Sequence, residues 1–236
     1  MRRKLLLFLI AASVVFLCRD RVKPIPADAE AEILEERKYI ALTFDDGPKR
    51  STTETLLNGL KKRGASVTFF LIGKQIEDNR DLVLRMAEEG HQVGNHTWSH
   101  QRLDHMNEGT IAQEVGQTER ALEALLGPGD YWLRPPYGQV SAAAEGQISV
   151  PMVKWSVDPR DWESRNTDQV VQAILKDAKP NSIILLHDIY PTSVEAALQV
   201  VDSLQAQGYW FVTVEELLEL NGVTPQPGTM YRRGTG

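Results

Sequence analysis

The chain has 236 residues with a formal net charge of −6, and its sequence pI is near 5.5. That length suits one sizeable domain. The acidic balance argues against a nucleic-acid partner, which selects basic patches, and it leaves a neutral polysaccharide open. Apolar residues make up 42% and charged ones 25%, the proportions of an ordinary globular protein.

Met1-Arg2-Arg3-Lys4 is basic, and Leu5 to Cys18 is almost wholly apolar. Residues 1–18 therefore read as a signal peptide or an N-terminal membrane anchor, short of the ~20 residues of a spanning helix. Ala27-Asp28-Ala29 resembles a small-x-small cleavage site, yet it lies well beyond the apolar run, so a retained anchor is the alternative. Cys18 ends that run and is the chain's one cysteine; Leu17 stands where a lipoprotein signal wants a small residue. No intramolecular disulfide can form. Residues 19–37, with Glu30, Glu32, Glu35 and Glu36, read as a solvated linker.

From Lys38 strands and helices alternate. Lys38 to Phe44 is the first strand, stopped by Gly47-Pro48. Thr52 to Arg63 has helical periodicity and closes at Gly64. Val67 to Ile72 is a buried strand, Asp81 to Glu89 a helix, and His91 to Asn95 a short strand. Glu108 to Leu126 is a longer helix. Tyr131 to Arg134 and Met152 to Val157 are strands, the former cut by Pro135-Pro136. Thr167 caps a helix to Ala178, Ser182 to Leu186 is a strand, and Val194 to Gln207 a helix. Tyr209 to Val212 is the last strand, and Thr213 caps a helix to Leu220. Residues 221–236, rich in Gly, Pro and Thr, are expected to fray.

Wholly apolar strands separated by helices predict a parallel sheet under helices. About seven strand–helix units suit an α/β fold, a closed or nearly closed (β/α) barrel, with functional residues at the C-terminal strand ends. A doubly wound sheet is the alternative, but no Gly-x-Gly-x-x-Gly follows the first strand.

Polar clusters fall at those ends. Asp45-Asp46 sits where a strand breaks into a turn, so both carboxylates can reach one site, and such adjacent charges call for something positive. A solvated Asp-Asp turn is the plainer reading of that pair alone. His96 and His100, at i and i+4, share one face if the segment is a helical turn; chance surface histidines are the alternative. Taken together, the two clusters favour a His-His-Asp metal site with a position left for water, the pattern of a catalytic zinc. His91 and His105 read as packing and surface residues. Arg134-Pro135-Pro136-Tyr137-Gly138, Asp158-Pro159-Arg160-Asp161-Trp162 and Ile183-Ile184-Leu185-Leu186-His187-Asp188 follow.

With these five motifs in order, the chain resembles the polysaccharide deacetylases, the NodB-homology domain of carbohydrate esterase family 4, over residues 38–220. The resemblance implies a metal-dependent enzyme with a distorted barrel. It implies Asp46, His96 and His100 as metal ligands and Asp45 as the base that activates water. It implies Arg134 as the residue holding Asp45 ionised, the Tyr137 backbone N–H as an oxyanion donor, and Asp161 as the partner orienting an acid, His187. Trp162 and Leu185 are then walls of the acetyl pocket. Leu133 departs from the family, many of whose members carry an aromatic there.

The chemistry fits these residue types: amide hydrolysis needs an activated water, a polarised carbonyl and a proton for the departing amine. The expected activity is de-N-acetylation of N-acetylglucosamine-containing polysaccharide, peptidoglycan first, with chitin oligomers, O-acetyl xylan or muramic acid residues as alternatives. A non-catalytic wall-binding barrel is the competing class. The expected cofactor is one divalent ion, zinc, with cobalt or another as alternatives. The chain is expected to act outside the cytoplasm as a monomer, touching membrane only through its N-terminal segment.

Overall fold

The computed structural model describes residues 37–146 and 148–235. The leader and linker expected over residues 1–37 thus fall, but for Arg37, outside the described residues.

Strand β1 (Lys38–Asp45) is central. It pairs in parallel with β2 (Thr68–Leu71), which pairs with β3 (Gln92–Asn95), and with β5 (Ile183–His187). Its first residues also pair with β6 (Tyr209–Phe211). Alternation along β1 explains the layering. Ile40, Leu42 and Phe44 face the helices, packing with Leu56, Leu57, Val200 and Leu204. Tyr39 and Ala41 face the other way, into a cluster with Trp132, Val153 and Ile183. Thr43 and Asp45 continue that inward row, so Asp45 ends it at the mouth of the barrel.

The covering helices are α1 (Arg50–Arg63), α2 (Arg80–Glu88), α3 (Glu108–Leu126), α4 (Thr167–Asp177), α5 (Pro191–Gln205) and α6 (Val214–Leu220). Helix α3 has the limits its periodicity predicts. Thr213 caps α6 in a full capping box with Glu216. Helix α4 differs: Asn166, not Thr167, is the N-cap, its side chain accepting the Gln169 N–H. Asparagine is at least as good a cap as threonine and stands one residue earlier. Helix α5 starts at Pro191, ahead of the expected Val194, because proline's missing N–H and fixed φ suit a first helical turn.

Two expected strands shrink. Between Tyr131 and Arg134 only Leu133 pairs, bridging Asn95 and Met152. The prolines at 135 and 136 carry no N–H for a ladder. Of Met152 to Val157, only β4 (Met152–Val153) is regular, with Val157 bridging Ile184. The carbonyls of Val153 and Lys154 accept from the Arg134 guanidinium instead.

The C-terminal stretch overturns the expectation of fraying. Strand β7 (Met230–Tyr231) pairs in parallel with β4, and Arg233 bridges Ser182 beside β5. Tyr231 is buried at 5% exposure, so the segment is a barrel stave rather than a loose end. With it the chain forms an α/β barrel distorted where the Leu133 and Val157 staves are short. Among the described residues no helix is long and apolar enough to cross a membrane.

Candidate active site

The carboxyl ends of β1, β3 and β5 converge with the loops at Tyr137 and Trp162 on a cavity of about 380 Å³. Asp45, Asp46, His96, His100, Tyr137, Trp162, Leu185 and His187 all line it.

Asp45 and His187 are register partners on neighbouring strands. Asp46 follows Asp45 with φ 71, in the left-handed region. This twist brings consecutive carboxylates to one place, where an extended backbone would send them to opposite faces.

The histidines converge differently from the reading as one helical face. His96 follows β3 directly, and the segment to His100 is not helical. Thr97 at φ 64 and His100 at φ 59 turn the loop back on itself. The two imidazoles then lie with ring centres 4.9 Å apart. His96 Nε2 is 3.6 Å and His100 Nε2 3.2 Å from Asp46 Oδ1. The ligand atoms of Asp46, His96 and His100 all lie within 4.8 Å of one another.

The donor chemistry fits a cation. His96 Nδ1 is 2.6 Å from the Arg134 carbonyl oxygen, which can only accept, so Nδ1 carries the hydrogen and Nε2 its lone pair. That lone pair faces Asp46 Oδ1, which is buried and has no hydrogen-bond partner among the described residues. Acceptors meeting in this way require a proton or a metal between them. Burial and the neighbouring His96 hold the His100 pKa below its ordinary value, which keeps its ring neutral and able to ligate.

Arg134 is fully buried behind Asp45. One guanidinium nitrogen donates to Asp45 Oδ1 and to Thr43 Oγ1, each at 2.7 Å, and the ring of Phe70 lies 4.2 Å from its carbon. Burial alone would raise the Asp45 pKa; Arg134, with His96 and His187, outweighs it and holds the carboxyl below the usual range. Burial likewise opposes charge on His187, but the hydrogen bond and charge of Asp161, with Asp45 and Asp46, raise its pKa to about 9. Asp161 is buried and opens a short helical turn, Asp161–Ser164, that also carries Trp162.

Tyr137 sits at φ 58, its ring 5.0 Å from that of His100 and more than half exposed. Leu185 is buried in the cavity wall, whereas Trp162 stands at its rim, 44% exposed. The sequence reading gave no role to Thr43, Trp155, Asp158 and Tyr190, of which the last three line the cavity. Tyr190 is held by the Arg165 guanidinium, 3.4 Å from its ring centre. Asp158 opens one of the five motifs and Tyr190 lies two residues beyond another, a signal that could have given them roles; Trp155 had none. His91 packs against Phe69, its pKa pushed by burial down to about 4, and the His105 side chain is exposed.

A family model described as polysaccharide deacetylase matches residues 34–149. The solved structure of the T48 deacetylase with substrate is 39% identical at a TM-score of 0.80, the match covering 84% of this chain and 98% of that one. The chain belongs to the polysaccharide deacetylase family. It is also 37% identical over 191 residues to the peptidoglycan-N-acetylmuramic acid deacetylase PdaC of Bacillus subtilis, covering 81% of this chain and 41% of PdaC. The peptidoglycan-N-acetylglucosamine deacetylase PgdA of Listeria monocytogenes is 39% identical over 180 residues, covering 76% of this chain and 39% of PgdA. The chain thus spans about two fifths of the length of these two curated relatives.

Proposed function

We propose that this family member is a metal-dependent hydrolase that removes acetyl from N-acetylglucosamine residues of peptidoglycan. The observation that carries the reading is the meeting of a three-residue metal-ligand set, a buried Asp45–Arg134 pair and an Asp161–His187 pair around one cavity. A non-catalytic barrel has no use for both a low-pKa carboxylate and a high-pKa imidazole facing one space. The likeness to PdaC and PgdA supports a peptidoglycan substrate. Because PdaC is a peptidoglycan-N-acetylmuramic acid deacetylase and PgdA a peptidoglycan-N-acetylglucosamine deacetylase, muramic acid residues are the first alternative.

Asp46, His96 and His100 would hold the ion, for which zinc suits two imidazoles and a carboxylate. When bound, a divalent ion lowers the pKa of water and polarises the acyl oxygen. Asp45, kept ionised by Arg134, takes a proton from the attacking water. The water oxygen bonds to the acyl carbon, and the Tyr137 backbone N–H donates to the oxygen that becomes negative. His187, protonated and oriented by Asp161, gives its proton to the amide nitrogen as the C–N bond breaks. Acetate leaves and the sugar keeps a free amine. Leu185 and Trp162 wall the space for the methyl group.

Residues 1–18 serve as export leader or anchor, placing residues 38–220 outside the cytoplasm as a monomer. Two measurements test the reading: metal content and acetate released from peptidoglycan, for wild type and for Asp46→Ala, His96→Ala and His100→Ala. Loss of both in all three variants is expected. Stoichiometric metal and full turnover in the histidine variants overturns the site. Neutral chitin oligomers and acetylated xylan as parallel substrates decide the glycan.

A further inference from the structure

The loop that carries both histidines has one hydrogen bond within its turn, from the His100 N–H to Thr97 Oγ1 at 3.2 Å, and otherwise leans on neighbouring elements. Thr97 and His100 are non-glycine residues at positive φ, a conformation that the β-branched threonine adopts only when its surroundings impose it. The Gly73 and Lys74 N–H groups donate to its Thr97 and Trp98 carbonyls at 3.0 and 3.1 Å, and a buried side chain of helix α3 holds its Ser99. Glu114 of that helix is buried at 8% exposure, and both of its carboxylate oxygens go to one loop residue. One oxygen accepts the Ser99 backbone N–H at 2.8 Å and the other the Ser99 hydroxyl at 2.7 Å. The Glu114 carbonyl accepts the Trp98 N–H at 2.9 Å. Next along the helix, the Val115 carbonyl accepts from Asn95 Nδ2 at 3.0 Å, while Asn95 Oδ1 accepts the Thr97 N–H at 2.8 Å.

A carboxylate taken out of water must recover the loss through its hydrogen bonds. Here that recovery depends on a single loop conformation, the one that aims His96 and His100 at Asp46. We infer that Glu114 is a positioning residue for metal binding, holding the Thr97–His100 turn in the shape that ligation needs before the ion arrives. The inference rests on the metal reading of Asp46, His96 and His100. Glu114 touches neither the ion's ligands nor the cavity, and sequence spacing gives no hint of it, because it lies on a helix of its own beyond the loop.

The experiment is calorimetric titration of zinc into the chelator-stripped protein at pH 7, with the melting temperature of each apoprotein as a second readout. Glu114→Ala is expected to weaken zinc binding about 10-fold, within the range that supporting hydrogen bonds contribute to metal affinity. Glu114→Gln is expected to stay within about 3-fold of wild type, because its amide oxygen and NH₂ can still meet the Ser99 N–H and Oγ. Gln113→Ala, exposed on the same helix, is the control and is expected to leave affinity unchanged. Should the alanine variant not fold, Glu114→Asp carries the test, since it keeps the charge but withdraws the carboxylate by one methylene. A folded Ala or Asp variant with wild-type zinc affinity and only a lowered melting temperature overturns the inference, as does a Gln variant as weak as alanine. A wild-type protein that takes up no zinc at all overturns the metal reading itself, an outcome distinct from either.

Discussion

Asp161 grips His187 through both carboxylate oxygens. One lies 2.9 Å from the ring Nδ1, and the other accepts the His187 backbone N–H, also at 2.9 Å. The ring is therefore fixed in position and tautomer, with Nε2 left for substrate. Asp161→Asn offers one acceptor and no charge in place of two and one. A histidine acting as an acid works below its pKa, so its loss of function is the alkaline limb of the rate profile. The charge on Asp161 raises that pKa toward about 9, so its removal is expected to move the limb to lower pH. A cation held by Asp46 opposes the imidazolium and lowers the limb in both enzymes, but leaves the direction of the difference unchanged. The same raised pKa contributes stability that is full below the ordinary histidine pKa of about 6.5 and is lost as pH rises through about 9. A pH–rate profile of wild type and variant checks this; an unshifted limb removes Asp161 from the mechanism.

The buried Asp45–Arg134 pair has separable catalytic and structural consequences. Asp45→Asn is expected to keep the metal, since Asp46, His96 and His100 remain, and to lose about 10²- to 10⁴-fold in kcat. Arg134→Leu strands a buried carboxylate and is expected to cost about 3–5 kcal/mol in urea unfolding. Its sign with pH follows from the lowered Asp45 pKa. Stability from the pair is present above the ordinary carboxylate value and lost as pH falls through the lowered one. Equal acid stability of wild type and Arg134→Leu would contradict the pairing energy assigned here.

On the proposed reading, Leu185 and Trp162 wall the acyl pocket and set the acyl chain length it accepts. Leu185 is 3% exposed and Trp162 44%, so the inner end of the pocket is closed and the outer end open. N-acetyl substrates are expected to exceed N-butyryl ones in kcat/KM by the equivalent of about 1–3 kcal/mol. Leu185→Ala is expected to narrow that gap. Equal kcat/KM for the two acyl groups in the wild type would show that these side chains do not bound the acyl group.

The C-terminal stave predicts a stability effect far from the chemistry. Tyr231 is buried beside β4, and its hydroxyl oxygen accepts the Gln226 backbone N–H at 3.0 Å. Tyr231→Ala is expected to destabilise by about 3–5 kcal/mol, the usual cost of deleting a buried aromatic side chain. Denaturant unfolding checks it, and a change below about 1 kcal/mol would mean the stretch is as loose as its composition suggests.

Much of this protein is legible in its residues alone. The apolar runs Lys38 to Phe44, Val67 to Ile72 and Ser182 to Leu186 read as buried strands, which the structure places at Lys38–Asp45, Thr68–Leu71 and Ile183–His187, and the 3.6-residue repeat of Glu108–Leu126 reads as the helix observed, because burial in water imposes those periods locally. The polar clusters at the ends of such strands mark the mouth of a barrel for the same reason, and the five motifs carry the family. Tertiary structure decided what depends on partners remote in the chain. His96 and His100 meet through left-handed residues pinned by helix α3 and not along a helical face, since no local pattern announces a positive φ at threonine or histidine. Residues 230–231 form a stave because they pair with β4, although the composition of residues 221–236 around them reads as loop. Trp155 becomes a wall of the site only when the chain beyond β4 turns across the cavity. Periodicity records which face a residue shows to water, while hydrogen-bond partners distant in sequence determine where irregular backbone is held.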